Sequence, residues 1–78
     1  MKTSKLPLVN SDDCVRVLQS LGFYISRRAE NHLQMRLDSA RPVTIPIPLH
    51  TKHLPNGTLR NILRQSGLTI EALTSLLN

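Results

Sequence analysis

The sequence predicts an α+β fold in two layers, with the element order α-β-β-β-α-α and a three-stranded antiparallel sheet packed on helices. Three observations predict it. Cys14, Val17, Leu18 and Leu21 recur at helical spacing, three runs of alternating polarity follow between residues 23 and 48, and two more helical stripes, divided by Gly67, complete the chain. The short connections between the runs imply a meander.

Residues 1–10 read as an extended lead-in, with Leu6, Leu8 and Val9 available to rest on the core and Pro7 limiting the chain's path. Ser11 is the expected N-cap of the first helix. Asp12 and Asp13 follow it where the helix dipole favours negative charge, and Gly22 supplies the C-terminal stop. Residues 23–28 read as a first strand, with Phe23 and Ile25 on one face and Tyr24, Ser26 and Arg28 on the other. Residues 29–31 are short enough for a hairpin turn, and Asn31 tolerates a left-handed backbone.

The second strand, NHLQMRL over residues 31–37, has faces of opposite chemistry. Leu33, Met35 and Leu37 alternate with His32, Gln34 and Arg36, which gives one apolar face and one basic face. After a turn at 38–41, Val43, Ile45 and Ile47 face the core from a third strand. Pro42, Pro46 and Pro48 all stand at even positions, so their missing N–H groups share one side, as in an edge strand closed to further pairing. The second strand is thereby central. A second helix opens at Asn56 or Gly57, buries Leu59, Ile62 and Leu63, turns Arg60, Asn61 and Arg64 outward and stops at Gly67. Thr69 caps the third helix, with Leu68 and Leu73 placed for a hydrophobic staple.

The chain's 78 residues suit one domain over residues 1–78. Apolar residues make up 40% of it, yet Phe23 and Tyr24 are its only aromatics, so Leu, Ile and Val must build the core. Stacking of bases on aromatic platforms is then not the main mode of recognition. Ten Lys and Arg against five Asp and Glu give a net charge of +5, which favours a polyanion or an acidic protein as partner. The lone Cys14 excludes an internal disulfide and a thiolate metal cluster, and its apolar helical position reads as core filler. The first ten residues, MKTSKLPLVN, hold no sustained apolar run and no stretch is long enough to span a bilayer, so a cytoplasmic protein without membrane contact is expected. His50 and His53 lie three apart in a loop that has neither Cys nor acidic neighbours, and we expect no metal there. With no Gly-rich phosphate loop and no Ser-His-Asp set, we expect no cofactor either.

With the helices on one face of the sheet, alternation leaves Tyr24, Ser26, Arg28, His32, Gln34 and Arg36 on the open face. A histidine on a strand is by itself an ordinary surface residue. Among these six, however, only His32 is of a type that exchanges protons near neutral pH, and cations flank it.

The pieces SKLP at 4–7, a helix ending in LGF at 21–23, a strand with a histidine, VTIP at 43–46 and GTLRNILRQSGLT at 57–69 stand in a characteristic order. In them the chain resembles the HicA family of toxin ribonucleases from toxin–antitoxin pairs, and the last piece is the most specific. The resemblance implies a fold like the double-stranded RNA-binding domain, metal-independent endonucleolytic cleavage of messenger RNA, and a HicB-type antitoxin as partner. The family's Gly-Ser-His motif at the start of the second strand falls on Glu30, Asn31 and His32. The histidine is kept while the Gly and Ser are not, and Glu30 places a negative charge beside the phosphate's expected position. The loop between Pro46 and Gly57 is one residue longer than the family pattern, so a second family histidine has no fixed counterpart at His50.

His32 is accordingly the candidate general acid/base. Arg28 and Arg36 are the candidates for the phosphate oxygens, and Lys52 and Arg60 for the RNA backbone beyond them, with the amide end of the helix near Gly57 as a further anion site. Two other readings stand beside this one. Glu30 and Asn31 favour a catalytically degenerate module that grips RNA or antitoxin without cutting, and the basic face alone suits a domain that docks an acidic protein.

Overall fold

In the computed structural model, which describes residues 6–78, the chain forms α1 (Ser11–Ser20), β1 (Tyr24–Arg28), β2 (His32–Leu37), β3 (Val43–Pro48), α2 (Asn56–Ser66) and α3 (Ile70–Leu77). The strands form one antiparallel sheet in the order β1-β2-β3, so β2 is central as expected. Of the lead-in, residues 1–5 lie outside the described residues. Val9 is buried and its carbonyl accepts from the Leu54 amide at 2.8 Å, whereas Leu8, expected to rest on the core, is 77% exposed.

The cap of α1 is Asn10, not Ser11. Asn10 Oδ1 accepts from the Asp13 amide at 2.7 Å, which satisfies one of the helix's orphan donors. Ser11 is the first helical residue and has another use. Its hydroxyl donates to the Pro48 carbonyl at 2.6 Å and accepts from the Thr51 amide at 3.0 Å, while its own amide donates to the Thr51 carbonyl at 2.9 Å. Pro48 and Thr51 are the first and fourth residues of a turn, and the hydroxyl stands between the two groups that would otherwise bond directly. His50, third in that turn, adopts φ +58°, in the left-handed region that non-glycine residues seldom occupy.

Both glycine stops work through the same device. Gly22 (φ +100°) lets its own amide reach Gln19 and the Phe23 amide reach Leu18, each at 3.0 Å, and Gly67 (φ +79°) lets the Leu68 amide return to Leu63 at 3.1 Å. Phe23 therefore belongs to the helix stop, and β1 begins one residue later than expected. Thr69 caps α3 by accepting from the Ala72 amide at 3.0 Å, as read from the sequence.

Leu33 and Met35 of β2 lie opposite Ile47 and Ile45 of β3, and all four are buried beneath Val17 and Leu18 of α1, Leu59 and Ile62 of α2 and Leu73 of α3. Cys14 belongs to this cluster, and burial pushes its thiol up to about 11, which keeps it protonated and unreactive at neutral pH. Ser11 is the one buried polar residue among the described residues, at 3% exposure. Ser11→Ala is therefore expected to destabilise the protein by about 1–3 kcal/mol, because the Thr51 amide loses its acceptor. In urea this is a lower midpoint at unchanged slope; an unchanged midpoint would show that water replaces the hydroxyl without loss.

Candidate active site

The side of the sheet away from the core carries the predicted face, built by the pairs His32–Pro48, Gln34–Pro46 and Arg36–Thr44. His32 is the first residue of β2 and is exposed. Its backbone is held by the turn before it: the Ala29 amide donates to the His32 carbonyl at 2.8 Å, and the Leu49 amide donates to the Asn31 carbonyl at 2.9 Å. Glu30 occupies that turn and is also exposed.

β1 departs from regular alternation. Ile25 lies opposite Met35 and Arg27 opposite Gln34, with Ser26 inserted between them as a β-bulge whose hydroxyl donates to the Gln34 carbonyl at 3.2 Å. The insertion changes which side the next residues serve. Arg28 pairs with the buried Leu33 and so leaves the open face, where alternation had placed it, and Arg27 takes its position beside Gln34.

Arg36 remains on the open face but is engaged. Its Nε donates to Asp38 Oδ1 at 2.6 Å, and the Tyr24 hydroxyl donates to Asp38 Oδ2 at 2.8 Å. Arg36 and then Tyr24 hold the Asp38 carboxyl below its ordinary range, while the bond to Asp38 pushes the Tyr24 phenol up. Asp38 was not among the residues singled out in the sequence. The contacts are exposed, so salt screens them, and they are complete only above the ordinary carboxylate range, fading as pH falls through the lowered Asp38 value.

A cavity of about 250 Å³ opens beside His32, lined by Ile45, Pro46 and Pro48 of β3 and by Thr58, Asn61, Ile62 and Gln65 of α2. Three polar residues of this wall, Thr58, Asn61 and Gln65, escaped the sequence reading as site residues. Their spacing of three and four marked a single polar stripe on α2, but nothing local told that the stripe meets His32. A larger groove of about 450 Å³ brings Arg28, His50 and Lys52 together with Asn10, Ser11, Asp12, Leu49 and Thr51 at the start of α1. The predicted cations thus divide: Arg36 shares the face of His32, Arg28 and Lys52 share the second groove, and Arg60 is exposed on α2, outside both. The ion pairs among the described residues are Arg16–Asp13 and Arg36–Asp38, so Arg27, Arg28, Lys52 and Arg60 have no carboxylate partner there. Among the described residues, no three His, Cys, Asp or Glu side chains converge as metal ligands would.

Asp38→Asn is expected to lower the pH at which Tyr24 ionises, since the carboxylate that holds the phenolic proton is gone and Arg36 remains. Tyr24 is the sole tyrosine and there is no tryptophan, so tyrosinate absorbance reports it directly. An unaltered titration would show that the contact is not held in solution.

No helix among the described residues is long and apolar enough to cross a membrane. A comparison with curated proteins returns no match. Residues 11–68, however, match the family model described as the HicA toxin of bacterial toxin–antitoxin, and the match runs from Ser11 through all three strands and α2 to Leu68. Such membership carries with it a cognate antitoxin as partner. The chain belongs to the HicA family and is the toxin component of a toxin–antitoxin system.

Proposed function

We propose that this toxin is a metal-independent endoribonuclease that cleaves messenger RNA in the cytoplasm, with His32 as general acid/base. The observation that carries the reading is the position of His32: an exposed imidazole on a backbone fixed at both flanks, beside a cavity, on a face with free and engaged arginines. The family motif that the chain resembles places its histidine at the same residue.

The reaction needs no group beyond the RNA and the protein. His32 takes the proton of a ribose 2′-hydroxyl, and the 2′-oxygen attacks the adjoining phosphorus. The bond from phosphorus to the 5′-oxygen breaks, and that oxygen receives the proton that His32 took up, leaving a 2′,3′-cyclic phosphate, a 5′-hydroxyl end and a neutral imidazole. A cation offsets the charge that gathers on the phosphate oxygens. Arg27 and Arg36 are the candidates on the open face, Arg36 after exchanging Asp38 for phosphate. Arg28 and Lys52 in the second groove, and Arg60 on α2, hold the RNA backbone farther out. One histidine without a partner acid makes for slow turnover, which suffices for a toxin. A HicB-type antitoxin would neutralise it by covering the His32 face, and an acidic surface complements the charge found there.

A second reading is favoured by Glu30 and Asn31, which set a carboxylate in the turn before His32, and by Asp38, which occupies Arg36: the same fold grips RNA or antitoxin and does not cut. The experiment that separates the readings is cleavage of a long unstructured RNA in excess chelator by the parent and by His32→Ala. We expect cleavage by the parent, 2′,3′-cyclic phosphate ends, and a loss of about 10²–10⁴-fold in the variant. Equal cleavage by both removes His32 from the chemistry, and RNA that is bound but intact selects the degenerate module. Arg36→Gln is expected to weaken RNA binding and to reduce the slope of log affinity against log salt by about 0.7, the loss of one phosphate contact to a single strand. An unchanged slope would leave Arg36 with Asp38 alone.

A further inference from the structure

The cavity beside His32 has features that proton transfer does not use. Its floor is the buried Ile45 and Ile62, and the rings of Pro46 and Pro48 line it along the outer edge of β3, where a proline presents apolar surface in place of an N–H donor. Its remaining lining residues are Thr58, Asn61 and Gln65, one stripe of α2. Asn61 Oδ1 accepts from the Arg64 guanidinium, which leaves the Asn61 amide N–H groups to donate, and the exposed Gln65 amide both donates and accepts.

Two properties narrow the ligand. Apart from His32, no lining residue is ionisable, so a phosphate placed inside would find no fixed counter-charge; the cations stand outside, on the sheet face, in the second groove and on α2. The volume of about 250 Å³ also falls below the roughly 300–1,000 Å³ of pockets that take drug-sized molecules. A neutral, planar group with apolar faces and a hydrogen-bonding edge fits both. Of the parts of an RNA chain, that is a base.

We propose that this cavity is a nucleobase-binding site that reads the nucleotide immediately 5′ of the cleaved phosphate, with Asn61 and Gln65 as its specificity-determining residues. The assignment of the nucleotide rests on His32 acting at the 2′-hydroxyl. A ribose carries its base on C1′ and the attacking hydroxyl on the adjoining C2′, so an imidazole at the hydroxyl has the base of that same nucleotide as its neighbour. The 3′-oxygen of that nucleotide bears the phosphate under attack, which puts the base on the 5′ side of the cut. Asn61 and Gln65 lie one helical turn apart and meet the base edge from one side, while the proline rings and the isoleucine floor cover its faces.

Two measurements test this, the first of them separately from catalysis. The first is the affinity of the parent for uncleavable 2′-deoxy pentanucleotides of adenine, cytosine or uracil, by fluorescence anisotropy. We expect about five- to tenfold between the best and the poorest, the discrimination of one good edge contact. In a protein carrying Asn61→Leu and Gln65→Met, both at exposed helix positions, the ratio is expected to fall within about twofold. A parent without preference, or a preference that survives both substitutions, overturns the base site. The second is a map of cut positions in a mixed-sequence RNA: parent cuts are expected to follow the preferred base, and those of the double variant to scatter. Cuts that follow a different base overturn the 5′ assignment. Base preference that depends on Asn61 and Gln65 without any cleavage supports the base site and overturns the ribonuclease reading instead.

Discussion

The hydroxyl of Ser11 is the interaction on which the arrangement of this protein depends. It stands inside the turn that ends β3, bonded to the Pro48 carbonyl and the Thr51 amide, and the Ser11 amide closes the set on the Thr51 carbonyl. One small side chain thus ties the start of α1 to the segment that leads into α2. Residues 37 to 40 positions apart are held in a site shielded from water, where competing hydrogen bonds are few. The direction in which the chain leaves β3 follows, and with it the approach of α2 to the edge where His32 and Pro48 pair.

That edge explains how the fold protects itself and makes room at once. A three-stranded sheet has two exposed edges, each able to recruit a foreign strand. Proline at 46 and 48 removes two outward donors from β3, and α2 lies alongside, so the edge becomes a cavity wall in place of a pairing surface. On the other edge, the bulge at Ser26 breaks the regular spacing that a neighbour would need. The same bulge exchanges Arg28 for Arg27 on the open face. Control of the edges and placement of the charges are thus one piece of architecture.

The open face is basic but partly neutralised from within. Asp38 binds Arg36 and Tyr24 together, and Glu30 stands in the turn before His32. An anion arriving at this face must compete with Asp38 for Arg36, whereas Arg27 has no such partner among the described residues. Exposed ion pairs of this kind are weak, so the exchange is an affordable one for a phosphate that brings bidentate geometry. Charge on this surface is therefore conditional: what a ligand meets depends on whether it can displace a carboxylate already in place.

What the amino-acid sequence determined by itself is whatever repeats locally. The element order, the buried faces of β2 and β3, the edge position of the prolines, the stops at Gly22 and Gly67 and the Thr69 cap all follow from periodicity, backbone preference and short-range hydrogen bonding. His32 was legible as a candidate because alternation alone puts it opposite Leu33. Asn10 and Ser11 are both good caps, and only the recruitment of Ser11 by a distant turn decides between them. The bulge was invisible because one extra residue in β1 is defined by its count against β2, and so Arg28 was assigned to the wrong face. The meeting of His32 with Thr58, Asn61 and Gln65 is likewise tertiary. Each residue's local pattern fixes which side of its own element it occupies, but only packing decides which two sides face each other.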